Sequence, residues 1–263
     1  MSTTEKTSEF LLEIKNISRS FSGVAAVQNA SFEVEAGQIV GLIGPNGAGK
    51  TTALNCLSGI DLPDSGQVLL RGEDVTQWSI HRRARHGLGR TFQLMRLFPS
   101  LSVIQNVSLP LECGPLSRIA GGSNVYKSLS KSEVLNRATN ALERVGLGAI
   151  SRQSVGSLTA GQKRLVEIAR LVAMDNDVLL LDEPAAGLNL TEGNELFEII
   201  SDLAKSGKGI LLVEHRIRSV LQVVQRLVVM DHGIVIADGA PTKVMNLPSV
   251  QEAYMGVSAN VEG

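Results

Sequence analysis

Aromatic side chains make up only 3% of this 263-residue chain, cysteine occurs twice, and Lys+Arg 25 against Asp+Glu 26 leaves neither sign of charge in excess. Few aromatics argue against stacking platforms for single-stranded nucleic acid. A formal net charge of −1 supplies no field with which to hold a phosphate backbone, so a dedicated nucleic-acid binder is disfavoured. Cys56 and Cys113 have no CxxC spacing; they form neither a disulfide framework nor a zinc site and read as reduced packing residues. Long apolar runs are missing as well. The strongest, at 38–44, 178–181 and 209–213, are far below the ~18 residues that cross a bilayer, so no segment is expected to span a membrane by itself. The opening MSTTEKTSEF has no apolar core and is not read as a secretory signal, which places the chain in the cytoplasm.

What is present is ample apolar content, 43%, enough for one large domain or a core carrying a smaller subdomain. Residues 1–9 read as a loose polar tail. Segments 11–17 and 30–34 alternate apolar with polar, as half-buried strands do, while 38–43 is continuously apolar and suits a strand covered on both faces of a parallel sheet. A helix is expected over 49–58, a short strand at 66–71, and a polar helix at 79–86 whose Arg82, Arg83 and Arg85 form a solvated face. His81, His86 and His232 read as surface residues and Trp78 as packing.

Helical periodicity then takes over, at 103–111 and at 130–145, where Val134, Ala138, Ala141, Leu142 and Val145 share a face. With Gly121-Gly122-Ser123 as a loop between them, about 95–160 reads as an inserted helical subdomain in a single domain over 10–263. Thr159 caps a helix running to about Ala173, with Leu165, Ile168, Ala169 and Val172 as its buried stripe. Apolar strands at 178–182 and 208–214 flank a helix at 191–206, a βαβ pattern, and 226–230 and 234–237 form a hairpin around Asp231-His232-Gly233.

Gly44-Pro45-Asn46-Gly47-Ala48-Gly49-Lys50-Thr51 fits G-x-x-x-x-G-K-[ST], placed after a buried strand and before a helix. Glycines let backbone N–H groups converge on phosphates, and the helix N-terminus adds partial positive charge. Lys50 then reaches the β- and γ-phosphates, Thr51 offers its hydroxyl to Mg²⁺, and Thr52 completes the phosphate-binding set. Residues 178–183 form a buried strand ending in two carboxylates. Beside a phosphate loop, Asp182 can hold Mg²⁺ through its water shell and Glu183 can polarise a water for in-line attack on the γ-phosphate.

Leu158-Thr159-Ala160-Gly161-Gln162, about 20 positions before Asp182, resembles the LSGGQ signature of the ATP-binding cassette family. In that resemblance Gln93 matches the glutamine loop, a Mg²⁺ and water contact; His215 matches the switch histidine; and Phe21 matches the aromatic that stacks on adenine. The likeness covers about 11–256. It implies an α/β fold with a P-loop NTPase (RecA-like) core, an antiparallel β subdomain and an inserted α-helical subdomain. It also implies ATP and Mg²⁺ as ligands, and a second subunit whose signature closes over the γ-phosphate, with Thr159 replacing the usual serine. Ala160 stands for the usual glycine, and Asn189 for the usual aspartate, which leaves open how two sites communicate.

Residues 90–93, 97–98, 103–106, 185–189 and 248–256 resemble the ATPases of bacterial branched-chain amino acid importers. Such ATPases work with integral-membrane permease subunits, a second copy or sister ATPase, and an external binding protein, and lie peripherally on the inner face of the membrane. Urea or short-amide importers and lipopolysaccharide exporters carry similar ATPases. A soluble cassette ATPase of translation or DNA repair usually has two cassettes or a coiled-coil insert, and a non-hydrolysing scaffold would not need Lys50, Glu183 and His215 together. Arg96-Leu97-Phe98-Pro99 is either a hydrophobic cap on the helical insert or the surface that meets a membrane partner.

Overall fold

The computed structural model describes residues 10–92, 96–112, 117–118, 126–127 and 129–258. Strands β1 (Phe10–Phe21) and β2 (Val24–Glu35) form a long antiparallel hairpin. Its two-residue turn has Ser22 at φ 47° and Gly23 at φ 85°, the positive pair whose twist suits a tight hairpin. Both strands outrun their alternating segments, because register shifts between Ile14 and Ile17 and again around Arg19 break the inside–outside alternation. With β4 (Ser65–Leu70) and β5 (Glu73–Asp74) they make a four-stranded sheet, ordered β2-β1-β4-β5.

The second sheet holds β3 (Ile39–Ile43), β6 (Leu88–Arg90), β9 (Val178–Asp182), β10 (Gly209–Val213), β11 (Arg226–Asp231) and β12 (Ile234–Gly239), in the order β12-β11-β3-β10-β9-β6. All its pairs are parallel except the β11–β12 hairpin. Every residue of β3, β9 and β10 is buried, which accounts for their unbroken apolar runs. Side chains alternate between two cores. Val40, Leu42, Leu180 and Leu211 face α1 (Lys50–Ser58) and the antiparallel sheet, while Ile39, Ile43, Leu179 and Leu212 face the other helices.

Those helices are chiefly α3 (Val103–Glu112), α4 (Lys131–Arg144), α5 (Ala160–Ala173) and α6 (Leu190–Lys205). The stripe Val134, Ala138, Ala141, Leu142 and Val145 is buried in the same cluster as Val103, Val107 and Leu111 of α3 and Val166, Ile168, Ala169 and Val172 of α5. Ser130 and Glu133 close a capping box on α4. Two short strands, β7 (Ser117–Arg118) and β8 (Tyr126–Lys127), pair between α3 and α4, while Cys113 and the 121–123 loop lie outside the described residues. The chain closes through α7 (Ile217–Val220), α8 (Pro241–Val244) and α9 (Pro248–Ser258).

Two surface assignments are corrected. Arg83, on α2 (Ile80–Arg85), is 0% exposed. Its guanidinium donates to the carbonyls of Cys56 (2.6 Å), Leu57 (2.7 Å), Thr76 (2.7 Å) and Trp78 (3.1 Å). The last turn of α1 leaves carbonyls without intrahelical partners, and a cation is favoured there by the helix dipole. Only Arg82 and Arg85 of the trio are exposed, and Arg82 lies 3.7 Å above the buried Trp78 ring. His86 is buried too, its Nδ1 2.7 Å from the Arg82 carbonyl and its ring edge-on to Trp78. Cys56 is a buried packing residue, and burial pushes its thiol up to about 11.

Candidate active site

The phosphate loop leaves β3 at Gly44 and enters α1 at Lys50. Three of its glycines have positive φ: Gly44 at 154°, Gly47 at 80° and Gly49 at 97°. A Cβ on Gly44 would run into the Met230 carbonyl oxygen, and one on Gly49 into that of Ala26, so both positions exclude side chains on steric as well as torsional grounds. Gly233 ties the loop to the hairpin, its N–H donating to Ala48 O (3.0 Å) and its carbonyl accepting from Gln28 N–H (2.8 Å). At the hairpin's end Phe21 is exposed, with the Arg19 guanidinium 4.8 Å from its ring centre.

Lys50 is buried and its Nζ donates to Gly44 O (2.8 Å) and Pro45 O (2.9 Å). Burial pushes its ammonium below the ordinary lysine range, against the opposing charges of Glu183 and Asp182. Thr51 is exposed at the start of α1, and Thr52 half-buried behind it. Asp182 ends β9, one strand removed from β3 across β10, and its Oδ2 accepts from Arg90 Nη2 at 3.0 Å.

Glu183 follows at φ 48°, a left-handed conformation costly for a side chain of its size. The turn is held by its own N–H on Val213 O (2.9 Å) and by Ala186 N–H on its carbonyl (3.1 Å). Parallel pairing sets Asp182 opposite Val213, which brings His215 round to Glu183: Nε2 and Oε1 are 2.6 Å apart. His215 is 46% exposed at the side chain, so the pair faces outward from the sheet edge. Glu214 points the other way, buried, accepting from Ala185 N–H (2.7 Å), and burial raises its carboxyl above the usual range.

The signature residues are placed elsewhere. Leu158 is buried, whereas Thr159 and Ala160 are exposed at the start of α5. Thr159 Oγ1 accepts from Gln162 N–H (3.2 Å), and Gln162 Oε1 accepts from Thr159 N–H (3.1 Å). This box pairs the N–H groups of Thr159 and Gln162; Ala160 is exposed beside it, while Gly161 is buried. Asn189 has a local role: it caps α6, its Oδ1 accepting from Glu192 N–H (3.0 Å), with Glu192 reciprocating (3.1 Å).

Gln93 lies outside the described residues, but its flanks are held by α5. Arg164 donates to Phe92 O (3.0 Å) and to Glu167 (2.7 Å); Glu167 accepts from Arg96 N–H (3.3 Å); Arg170 donates to Arg96 O (2.7 Å). Beside them is a groove of about 320 Å³ lined by Arg90, Phe92, Arg96, Phe98, Pro110 and Arg170, with Phe98 50% exposed. Nothing in the local sequence assigns a role to Arg90, Glu214 or the Arg164/Glu167/Arg170 set. A cation two residues before an aromatic at the end of an apolar stretch was the available signal for Arg90.

The donor set fits the nucleotide and its metal. Among the described residues no three His, Cys, Asp or Glu side chains converge as a metal cage. A lone hydroxyl and a lone carboxylate beside a phosphate loop suit Mg²⁺, which is usually shared with substrate phosphates and water.

Residues 27–186 match the family model described as ABC transporter. The high-affinity branched-chain amino acid transport ATP-binding protein LivG of Escherichia coli (strain K12) is 39% identical over 254 residues, 95% of this chain and 99% of its own. The corresponding BraF of Pseudomonas aeruginosa is 36% identical over 251 residues, 94% and 98% of the two chains. Among solved structures, the ADP conformation of MJ1267, an ATP-binding cassette of an ABC transporter, superposes with a TM-score of 0.83 at 29% identity, covering 94% of this chain and 99% of that one. With the family model spanning more than half of the chain and 39% identity to LivG across nearly all of it, the chain belongs to the ABC transporter family, as one of its ATP-hydrolysing cassettes.

Proposed function

We propose that this cassette energises the import of branched-chain amino acids, paired with a second cassette beneath separate permease subunits. The observation that carries the catalytic part is Glu183 held 2.6 Å from His215 next to the phosphate loop. The relatedness to LivG over nearly the whole chain carries the substrate class.

In this reading residues 10–263 are one ATPase domain, with about 95–160 as a helical unit inserted in it. The N–H groups of the loop from Gly44 through Pro45, Asn46, Gly47 and Ala48 to Gly49 hold the β- and γ-phosphates, and Lys50 exchanges its two loop carbonyls for phosphate oxygens. Phe21 stacks on adenine. Thr51, Asp182 and Gln93 would hold Mg²⁺, which supplies neutralisation of phosphate charge. Glu183 accepts a proton from the water that attacks the γ-phosphorus as the bond to the ADP oxygen breaks; His215 keeps its carboxylate aimed.

The signature supplies what this site lacks. Thr159 and Ala160 are exposed at the start of α5, suited to a γ-phosphate bound by a second cassette, whether a copy or a sister ATPase. No described helix is long and apolar enough to cross a membrane. The groove at Arg96 and Phe98 would therefore dock a permease segment on the cytoplasmic face, with an external binding protein delivering solute.

The test is reconstitution with the permease in vesicles. Glu183→Gln should keep ATP binding, lower hydrolysis by ~10²–10⁴ and reduce leucine, isoleucine and valine uptake to background. Uptake of all three that is indifferent to this variant refutes the proposal.

A further inference from the structure

Arg90 ends the edge strand β6, and its side chain is as buried as that of Asp182, which it meets, at 6% and 7% exposure. Nη2 holds Asp182 Oδ2 at 3.0 Å, while Nη1 donates to Asn55 Oδ1 (2.8 Å) and Ser58 Oγ (2.9 Å), both on α1. One planar side chain thus spans the helix that begins with Lys50 and Thr51 and the strand that ends at Asp182. The next residue repeats the link through the main chain. Thr91 Oγ1 accepts from Asp182 N–H (3.1 Å), and Thr91 N–H donates to Leu180 O (3.0 Å).

We propose that Arg90 is the positioning residue for Asp182 as a magnesium-facing carboxylate: it fixes that carboxylate relative to Thr51 and engages one oxygen, leaving Oδ1 to face the cation's water shell. The inference rests on the assignment of Asp182 to Mg²⁺. An arginine suits this task, since its charge is permanent and its fork holds several acceptors in fixed directions. Arg90 also lines the groove with Phe92 and Arg96, its Nε has no acceptor among the described residues, and its guanidinium lies 5.5 Å from the Phe92 ring centre. The support of the carboxylate is therefore part of the groove wall.

The test measures Mn²⁺ binding to the full chain with ADP, by electron paramagnetic resonance of free Mn²⁺, alongside ADP affinity in EDTA. Arg90→Met should raise half-saturating Mn²⁺ at least ~10-fold, the scale of losing a group that orients a ligand. ADP affinity in EDTA should stay within about twofold, because positioning of the carboxylate does not act on phosphate contacts. Arg90→Lys, which keeps the charge and is the variant to read if Arg90→Met fails to fold, should recover part of the Mn²⁺ affinity. Asp182→Asn should weaken Mn²⁺ as well, and adding Arg90→Met to it should cost nothing more. Unchanged Mn²⁺ affinity in Arg90→Met, equal losses with and without metal, or additivity with Asp182→Asn overturns the role of Arg90. Unchanged Mn²⁺ affinity in Asp182→Asn overturns the magnesium assignment itself.

Discussion

Replacing Arg83 by methionine keeps a long, flexible stem and removes the guanidinium that gathers four main-chain carbonyls. A hydrogen bond from a charged donor contributes ~1.5–3 kcal/mol, so four such bonds set an upper limit of about 6–12 kcal/mol. Two effects reduce it. Burying the guanidinium is itself unfavourable, enough to bring its pKa down to about 10, and methionine regains some apolar contact. Cys56 O keeps the Gly59 N–H at 3.4 Å, but neither effect restores a donor to the Leu57 carbonyl at the end of α1, so a net loss of ~3–5 kcal/mol is expected. Urea unfolding followed by far-ultraviolet circular dichroism reads this directly. With a slope of ~3 kcal/mol/M for a chain of this size, the midpoint should fall by ~1–1.7 M. Arg83→Lys should lie between, since an ammonium cannot reach all four acceptors. Exposed Arg85→Ala should stay within about 0.5 kcal/mol. A loss under about 1 kcal/mol in Arg83→Met refutes the reasoning, because solvent would then be satisfying those carbonyls as well as the arginine does.

Lys50→Ala should abolish ATP binding in equilibrium dialysis; retained tight binding counts against the phosphate loop. Asn189→Ala should cost ~1 kcal/mol of stability by removing the cap of α6, while Asn189→Asp, which can accept the same Glu192 N–H, should be near neutral in urea unfolding. Glu214 titrates above its unfolded value when folded, so the folded state binds more protons and stability falls as pH rises from about 4.3 through the raised value. Glu214→Gln offers Ala185 N–H the same acceptor without the charge, and should flatten the dependence of melting temperature on pH over that window without lowering stability at neutral pH. A slope identical to the parent's would mean that another group titrates there.

Strands β3, β9 and β10 were legible because they are covered on both faces, and burial of that kind leaves an unbroken apolar run. The phosphate loop and the acid pair were legible for a different reason: each is local, so spacing alone states the geometry. Long-range contacts were not. Arg83 looked solvated because three arginines on a short polar helix suggest an outward face, and only the end of α1 reveals why one turns in. Strand β6 is three residues containing a glycine and an arginine, too short for periodicity to register. The bond between Glu183 and His215 depends on the pairing of β9 with β10, which neither segment announces alone. Asn189 stood out as a departure from the family pattern, and the structure gives it a plain use as a cap with Glu192.

Helix α5 runs 14 residues, about 21 Å at 1.5 Å per residue, without a proline or an internal glycine beyond its first turn. Its start presents Thr159 and Ala160 outward; one turn on, Arg164 grips the Phe92 carbonyl, and further along Arg170 grips Arg96. A strut of that stiffness has no joint between its two jobs. Whatever tilts its outer end against another body must swing the groove wall at Phe92 and Arg96 by a proportionate amount, and pressure on the groove must re-aim the outer end. The two faces therefore share one mechanical degree of freedom, and a glycine in place of Lys163, the residue between Gln162 and Arg164, would loosen the link between them.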